Sequence, residues 1–189
     1  MPPPDADPAC SVTPSPTGEV DASGPIWKQG AFRRDPWQPA SAAAELGGVP
    51  LLFDKQGWLA ARQRLLSQQA PLGLRLEGGE SVEDIADDLG RFALIALNFV
   101  KFSDGRAFST ARLLREKFGY AGELRAVGNV LSDQIPFMRR VGFDAFEVQH
   151  IPTRRALRED RIAEVRLYYQ PVGVSPGTQT RAWLRDSRG

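Results

Sequence analysis

The chain has 189 residues, 42% of them apolar and four of them Trp, enough to bury a sizeable core within one domain. Its formal charge of +1 combines −4 in residues 1–24, where Asp5, Asp7, Glu19 and Asp21 stand without a Lys or Arg, with +5 in residues 25–189, an excess too small for a nucleic-acid footprint. Cys10 is the sole cysteine and His150 the sole histidine, which excludes a disulfide, a cysteine-ligated iron–sulfur cluster, a Cys/His zinc site and a Cys-His dyad.

Residues 1–24 hold six prolines and are expected to form a disordered acidic tail, with residues 25–189 as a single α/β domain. The tail shows no basic region leading into an apolar run, and no stretch reaches the roughly 18 apolar residues a membrane span needs, so a cytoplasmic protein with no membrane or nucleic-acid partner is expected. A hairpin is predicted over residues 26–37 with its turn near Gln29-Gly30. Residues 50–53 form a short strand, followed by a helix on which Trp58, Arg62, Leu65 and Leu66 share a face. Residues 72–77 are a strand candidate. Ser81 with Asp84 three residues on makes a capping-box-like start to a helix whose Val82, Ile85, Leu89 and Phe92 recur at helical spacing. The nearly continuous apolar run 93–102 suits a central strand of a parallel sheet. A helix carrying Ala111, Leu114 and Phe118 on one face stops at Gly119, and residues 123–131 are again a strand. A short helix to Val141 and a strand over 143–149 follow. Beyond it, Arg154, Arg155, Arg158 and Arg161 are interleaved with Glu159, Asp160 and Glu164, as on a solvated helix face.

This alternation implies right-handed βαβ crossovers and a mainly parallel sheet. Side-chain parity refines the fold. Leu72, Leu74 and Leu76 oppose Gly73, Arg75 and Glu77, and Leu124, Ala126, Gly128 and Val130 oppose Arg125, Val127 and Asn129. One apolar and one polar face per strand means helices on one side only, as in a (β/α) barrel, but about 165 residues fall short of the roughly 250 of eight units. The expected fold is a truncated TIM-barrel-like or open parallel sheet, with a flavodoxin-like sandwich as the alternative.

Ligands of such sheets bind beyond the carboxyl ends of the strands. Those ends place Lys101, Ser103, Asp104, Gly105 and Arg106 in one loop and Asn129, Ser132, Asp133 and Gln134 in another, with Glu77 and Glu147 at comparable positions. Lys101, Ser103, Asp104, Arg106 and Asn129 are the candidate ligand-binding residues, and Lys101 and Arg106 beside a helix N-terminus favour an anion. Asp104, Asp133 and Glu147 are the candidate acids or bases. Each has a structural counterpart: Asp104-Gly105 as a turn, Asp133 as an N-cap with Pro136 in the first turn, and Arg75 and Arg125 as partners that neutralise Glu77 and Glu147. His150 reads as a loop histidine, and Phe99, Phe108, Phe118, Tyr120, Phe143 and Phe146 as core. No metal site is expected, nor any nucleotide phosphate loop or nucleophile elbow, because GxxxxGK[ST], GxGxxG and GxSxG do not occur.

Residues 26–170 resemble a bacterial family catalogued as domain of unknown function 934. Phe99, Lys101, Phe102, Asp104, Gly105 and Arg106 match its Phe-Pro-Lys-Phe-x-Asp-Gly-Arg motif, residues 111–115 its Ala-Arg-Leu-Leu-Arg, residues 142–146 its Gly-Phe-Asp-Ala-Phe, and Tyr169-Gln170 its closing Tyr-Gln. Val100 replaces the usual proline, Ala107 a common glycine and Val141 a common cysteine, so a thiol at 141 is not essential to this chain. Members tend to be encoded beside assimilatory sulfite or nitrite reductases, and some are described as probable oxidoreductases. The resemblance therefore implies an accessory protein of sulfite or nitrite reduction, binding a small anion or the reductase hemoprotein. Its cofactor is unknown, and a flavin is compatible with that reading. Two further readings stay open: a small enzyme on an anionic metabolite, and a structural half-barrel subunit closed by a second copy.

Overall fold

The computed structural model describes residues 24–41, 48–67, 70–101 and 105–162; the expected tail, apart from Gly24, lies outside them, as do Ser103, Asp104 and Tyr169-Gln170. The first two strands, β1 (Ile26–Lys28) and β2 (Ala31–Arg33), form the expected hairpin. Gln29 and Gly30 both take positive φ, 51° and 77°, the two-residue turn whose twist matches that of its flanking strands. Six further strands follow: β3 (Gln38–Ala40), β4 (Leu51–Asp54), β5 (Leu72–Leu76), β6 (Phe92–Phe99), β7 (Glu123–Gly128) and β8 (Ala145–Glu147). Strands β3 to β8 lie side by side in chain order, all parallel, and β8 pairs antiparallel with β1 to give the order β2-β1-β8-β7-β6-β5-β4-β3. A flavodoxin-like sandwich requires that order to reverse at a switch point. Here it never reverses, so the crossovers stay on one face and the sheet curls into a half-barrel.

The helices that make those crossovers begin at the strands' carboxyl ends. Helix α1 (Lys55–Leu66) is capped by Asp54, whose carboxylate accepts from Gly57 N–H at 2.6 Å. Helix α2 (Arg106–Glu116) gives way to Gly119, which takes φ 61° while Tyr120 N–H reaches back to Leu114 O. Helices α3 (Ile135–Arg140) and α4 (Ile151–Arg158) complete the layer. The segment after β5 is a 3-10 helix, Glu83–Arg91, and Phe92 opens β6 instead of ending a helix. Its tighter winding aligns every third residue, so Val82, Ile85 and Asp88 all turn inward. Ser81 exchanges hydrogen bonds with Glu83, and Asp84 meets Lys55 at 2.7 Å.

Register sorts the side chains into rows. On the helix-covered face Phe53, Leu74, Ile95 and Leu124 are aligned neighbours, and so are Leu76, Leu97, Ala126, Phe146, Trp27 and Phe32. Trp58, Leu65, Ala111, Leu114, Met138 and Leu157 from the helices join the same core. Burying a side chain of this size contributes roughly 1.5–3 kcal/mol, so this shared face drives the fold. The other face carries the row Asp54, Arg75, Ala96, Arg125, Ala145 and Lys28.

That second face is less open than its polarity implies. Residues 34–37 run from β2 at one edge to β3 at the other and cross it as a strap. Asp35 grips Arg125 through both carboxylate oxygens at 2.9 Å, and the Trp37 ring lies so close to Gly73 that a Cβ there would stand 2.9 Å from it. Arg125 is 3% exposed, and Leu94, Ala96 and Val127 beside it are buried. Arg125 also donates twice to Glu123, which accepts from Lys28 at 2.5 Å. Arg125 thus pairs with Asp35 and Glu123, not with Glu147, while Arg75 meets Glu77 at 3.3 Å as expected. Among the described residues no helix is long and apolar enough to cross a membrane.

Two outcomes follow. Asp35→Ala strips a buried guanidinium of one of its two carboxylates and should lower stability by about 2 kcal/mol in urea denaturation. Asp84, held by Lys55 and Ser81, is lowered from 3.8 to about 2. A depressed folded-state value means its stabilisation is complete above the unfolded value and is lost as pH falls from about 4 through about 2. Asp84→Asn should therefore flatten the acid limb of the unfolding curve over that window.

Candidate functional site

Parallel strands leave their carboxyl ends on one rim, and three of them carry polar side chains there. Asn98, on the strap-side face of β6, donates to Glu77 Oε2 at 2.6 Å, and Arg75 braces the other Glu77 oxygen. Gly128 ends β7 with φ 86°, and a Cβ there would stand 2.4 Å from Asn98 Oδ1, so only glycine lets β7 pass this amide. The next residue, Asn129, is exposed and its N–H bonds Phe99 O at 2.8 Å. The rim thus joins Arg75 from β5, Glu77 just after it, Asn98 from β6 and Asn129 just after β7.

Lys101 and Arg106 stand at this rim, both exposed, on either side of a loop whose Ser103 and Asp104 lie outside the described residues. Arg106 opens α2 and lays its guanidinium against the loop after β5, where a Cβ on Gly79 would meet Nη1 at 2.5 Å. The start of α2 is thereby held over the β5 loop, and its first N–H groups add partial positive charge to that of the two side chains. Two carboxylates of the β5 loop are engaged: Glu77 by Arg75 and Asn98, and Glu80 by the Glu77 N–H at 2.7 Å.

Of the candidate acids and bases, Asp104 lies outside the described residues and Glu147 is set apart along the sheet. Asp133 is exposed in the turn before α3, whose N-cap is Gln134, without a side-chain cap bond; the expected cap at Asp133 is not formed, although Pro136 does fall in the first turn. Glu147 lies on β8, three strands from Glu77 or about 14 Å along the sheet, and accepts from Gln149. His150 precedes α4 and shares a hydrogen bond with Thr153 at 2.9 Å, a local contact rather than a base poised at the rim. Asn98 escaped the sequence reading, yet it is the one polar residue inside the apolar run of β6, and parity puts it beside Glu77.

The opposite rim explains the densest motif residues. Arg115 of α2 donates to the carbonyls of Gly122 and Gly142 and to that of Tyr120, and closes on Asp144 at 2.6 Å; Asp144 also accepts from Leu124 N–H. Gly142 takes φ 99°, and a Cβ there would lie 2.6 Å from Arg115 Cγ. This clamp ties α2 to the entries of β7 and β8. Its residues, from the Ala-Arg-Leu-Leu-Arg and Gly-Phe-Asp-Ala-Phe segments, build the fold. The same holds for Phe99, Phe143 and Phe146, which are buried as expected.

The two rims should respond differently to substitution. Arg115→Met leaves three carbonyls and a carboxylate without their donor and should cost about 3 kcal/mol. Lys101→Ala should stay within about 0.5 kcal/mol of wild type. Parallel urea titrations of the two variants check both.

The family model described as "Bacterial protein of unknown function (DUF934)" matches residues 73–179, from β5 through both motif segments and past α4. No curated protein matches the chain. The match runs over more than half of the sequence and contains both the Lys101–Arg106 rim and the Arg115 clamp, so the chain belongs to this bacterial family of unknown function, DUF934.

Proposed function

We propose that this chain is a cytoplasmic accessory protein of assimilatory sulfite or nitrite reduction, which holds a small oxyanion at the carboxyl rim of its sheet and works beside the reductase hemoprotein. The observation that carries the reading is the placement of Lys101 and Arg106. Both are exposed at the rim where α2 begins, and Glu77 and Glu80 of the neighbouring loop accept from Asn98 and from the Glu77 N–H. An oxyanion there gains two charge-assisted contacts and the helix dipole. The pathway rests on the family resemblance. The alternative of a half-barrel closed by a second copy is less well supported, because the strap already covers the middle of the face such a copy would fill.

Two measurements bear on it. A deletion strain should grow on cysteine but poorly on sulfate, sulfite or nitrate, depending on the reductase served; equal growth on all of them would remove the pathway assignment. Calorimetric titration with sulfite should show binding by the wild-type chain that is lost in the Lys101→Ala/Arg106→Ala double variant.

A further inference from the structure

A cleft of about 450 Å³ opens at the end of the sheet where the parallel strands begin. The β1–β2 turn, Gln29 and Gly30, forms one side and the last turn of α3 the other; Ala121 and Gly122, leading into β7, make a third wall. The floor is aromatic, with Trp27, Phe143 and Phe146. The charges around it are met within the fold: Lys28 pairs with Glu123, Asp144 closes on Arg115 and accepts from Leu124 N–H, and Arg139 has a partner of its own. Lys28 and Arg139 balance Glu123 and Asp144, so the lining carries no net charge. An occupant gains little there from an ionic group, and what the cleft offers it is apolar surface.

The chain itself arrives beside this cleft. Helix α4 runs back from the carboxyl rim and lies over the hairpin, with the Arg154 and Arg158 guanidinium groups 4.0 and 5.3 Å from the centre of the Phe32 ring. It ends in a Schellman motif: Arg161 N–H returns to Ala156 O and Asp160 N–H to Leu157 O, with Asp160 at φ 50°. That turn sends Ile162 inward, where it is buried in the same core as Trp27, Phe143 and Phe146. The described residues end there, at the amino end of the sheet.

The sequence continues with Ala163 to Gln170 before Pro171, and two of the chain's three tyrosines fall within it. Val165, Leu167 and Tyr169 alternate with Glu164, Arg166 and Tyr168, a pattern with one apolar side, and its two charges cancel. The family match extends to residue 179 and takes this segment in with the rest of the domain. The seven Cα steps from Ile162 to Tyr169 reach at most about 25 Å, whereas the three strand spacings from β2 to β7 along this rim amount to about 14 Å. The segment is long enough to cross the cleft.

We propose that residues 163–170 dock in this cleft and close it. Val165, Leu167 and Tyr169 supply the apolar side that meets the Trp27–Phe143–Phe146 floor, and Gly30 leaves room for the crossing backbone, since a Cβ there would meet nothing within 4 Å. The docked segment fastens the β1–β2 hairpin to the entry of β7 and to α3.

The test uses the full chain with Cys10→Ser and a nitroxide on Gln170→Cys. Docking should broaden the amide resonances of Gly30, Ala121 and Gly122 and spare Gly128 and Asn129 at the opposite rim. Ala121→Trp, which fills the cleft from its wall, should abolish that broadening while the amides of β5 and β6 keep their shifts. It should also speed tryptic cleavage after Arg166 by about tenfold or more, because cleavage follows the population of the undocked segment. Leu167→Ser/Tyr169→Ser should do the same from the other side of the contact, with the cleft left intact. In an equimolar mixture, isotope-labelled chains without nitroxide should keep sharp signals beside unlabelled chains that carry it. Broadening in that mixture would make a second copy the occupant. No selective broadening in the labelled chain itself, or equal cleavage after Arg166 in wild type and both variants, would leave the cleft to a separate molecule. Any of these results overturns the proposal.

Discussion

Five Cα steps separate Arg33, the end of β2, from Gln38, the start of β3, and these strands are the two edges of an eight-stranded sheet. An extended chain of that length reaches at most about 18 Å, whereas seven strand spacings in a flat sheet amount to about 34 Å. The edges can be joined only if the sheet curls, and the chord must then run across the concave face. The Asp35–Arg125 pair pins that chord to β7 at its middle. One short connection thus sets the curvature, buries the centre of the polar face and confines any open polar surface to the two rims.

This constraint gives Arg125 a defined role. A guanidinium fully removed from water costs several kcal/mol unless its donors are met, and here both partners come from different places: Glu123 from its own strand and Asp35 from the strap. An apolar residue at 125 would pack as well beside Leu94 and Val127 but would leave nothing for the strap to find. The pair selects where the strap lies more than it adds net stability, in keeping with the use of buried ion pairs to fix one arrangement among several.

The layout of βα units was legible in the sequence because it rests on short-range periodicity. Alternating leucines in β5 and the apolar face of α2 each declare an element and its buried side, and the inference of helices on a single face followed from parity at Arg75 and Arg125. What parity does not contain is the partner of a buried charge. Arg125 is expected from the sequence to neutralise Glu147, but Asp35 lies 90 residues away and is brought to it by sheet curvature. β3 was likewise hidden: Gln38-Pro39-Ala40 has no strand pattern, and the proline is tolerated because the strand is an outermost one. The 3-10 helix differs from the expected α-helix for a tertiary reason, since Asp88 must face Trp58 Nε1 and Arg62. At the rim, Lys101, Arg106 and Asn129 were readable as strand-end polar residues, while Asn98 was masked by the apolar run around it.

The densest signature of the chain divides between the two ends of the sheet, and the division has a physical basis. Arg115, Gly142 and Asp144 lie where strands begin, and their value is geometric: one guanidinium satisfies carbonyls of two separate loops, and a glycine with positive φ makes room for it. Such residues tolerate little change whatever the protein binds. Lys101, Asn129 and Arg106 lie where strands end, and Lys101 and Asn129 are exposed, with no comparable clamp on their side chains among the described residues. The packing requirement alone therefore accounts for the first group, and in the second it reaches Arg106, which closes on the loop after β5 at Gly79.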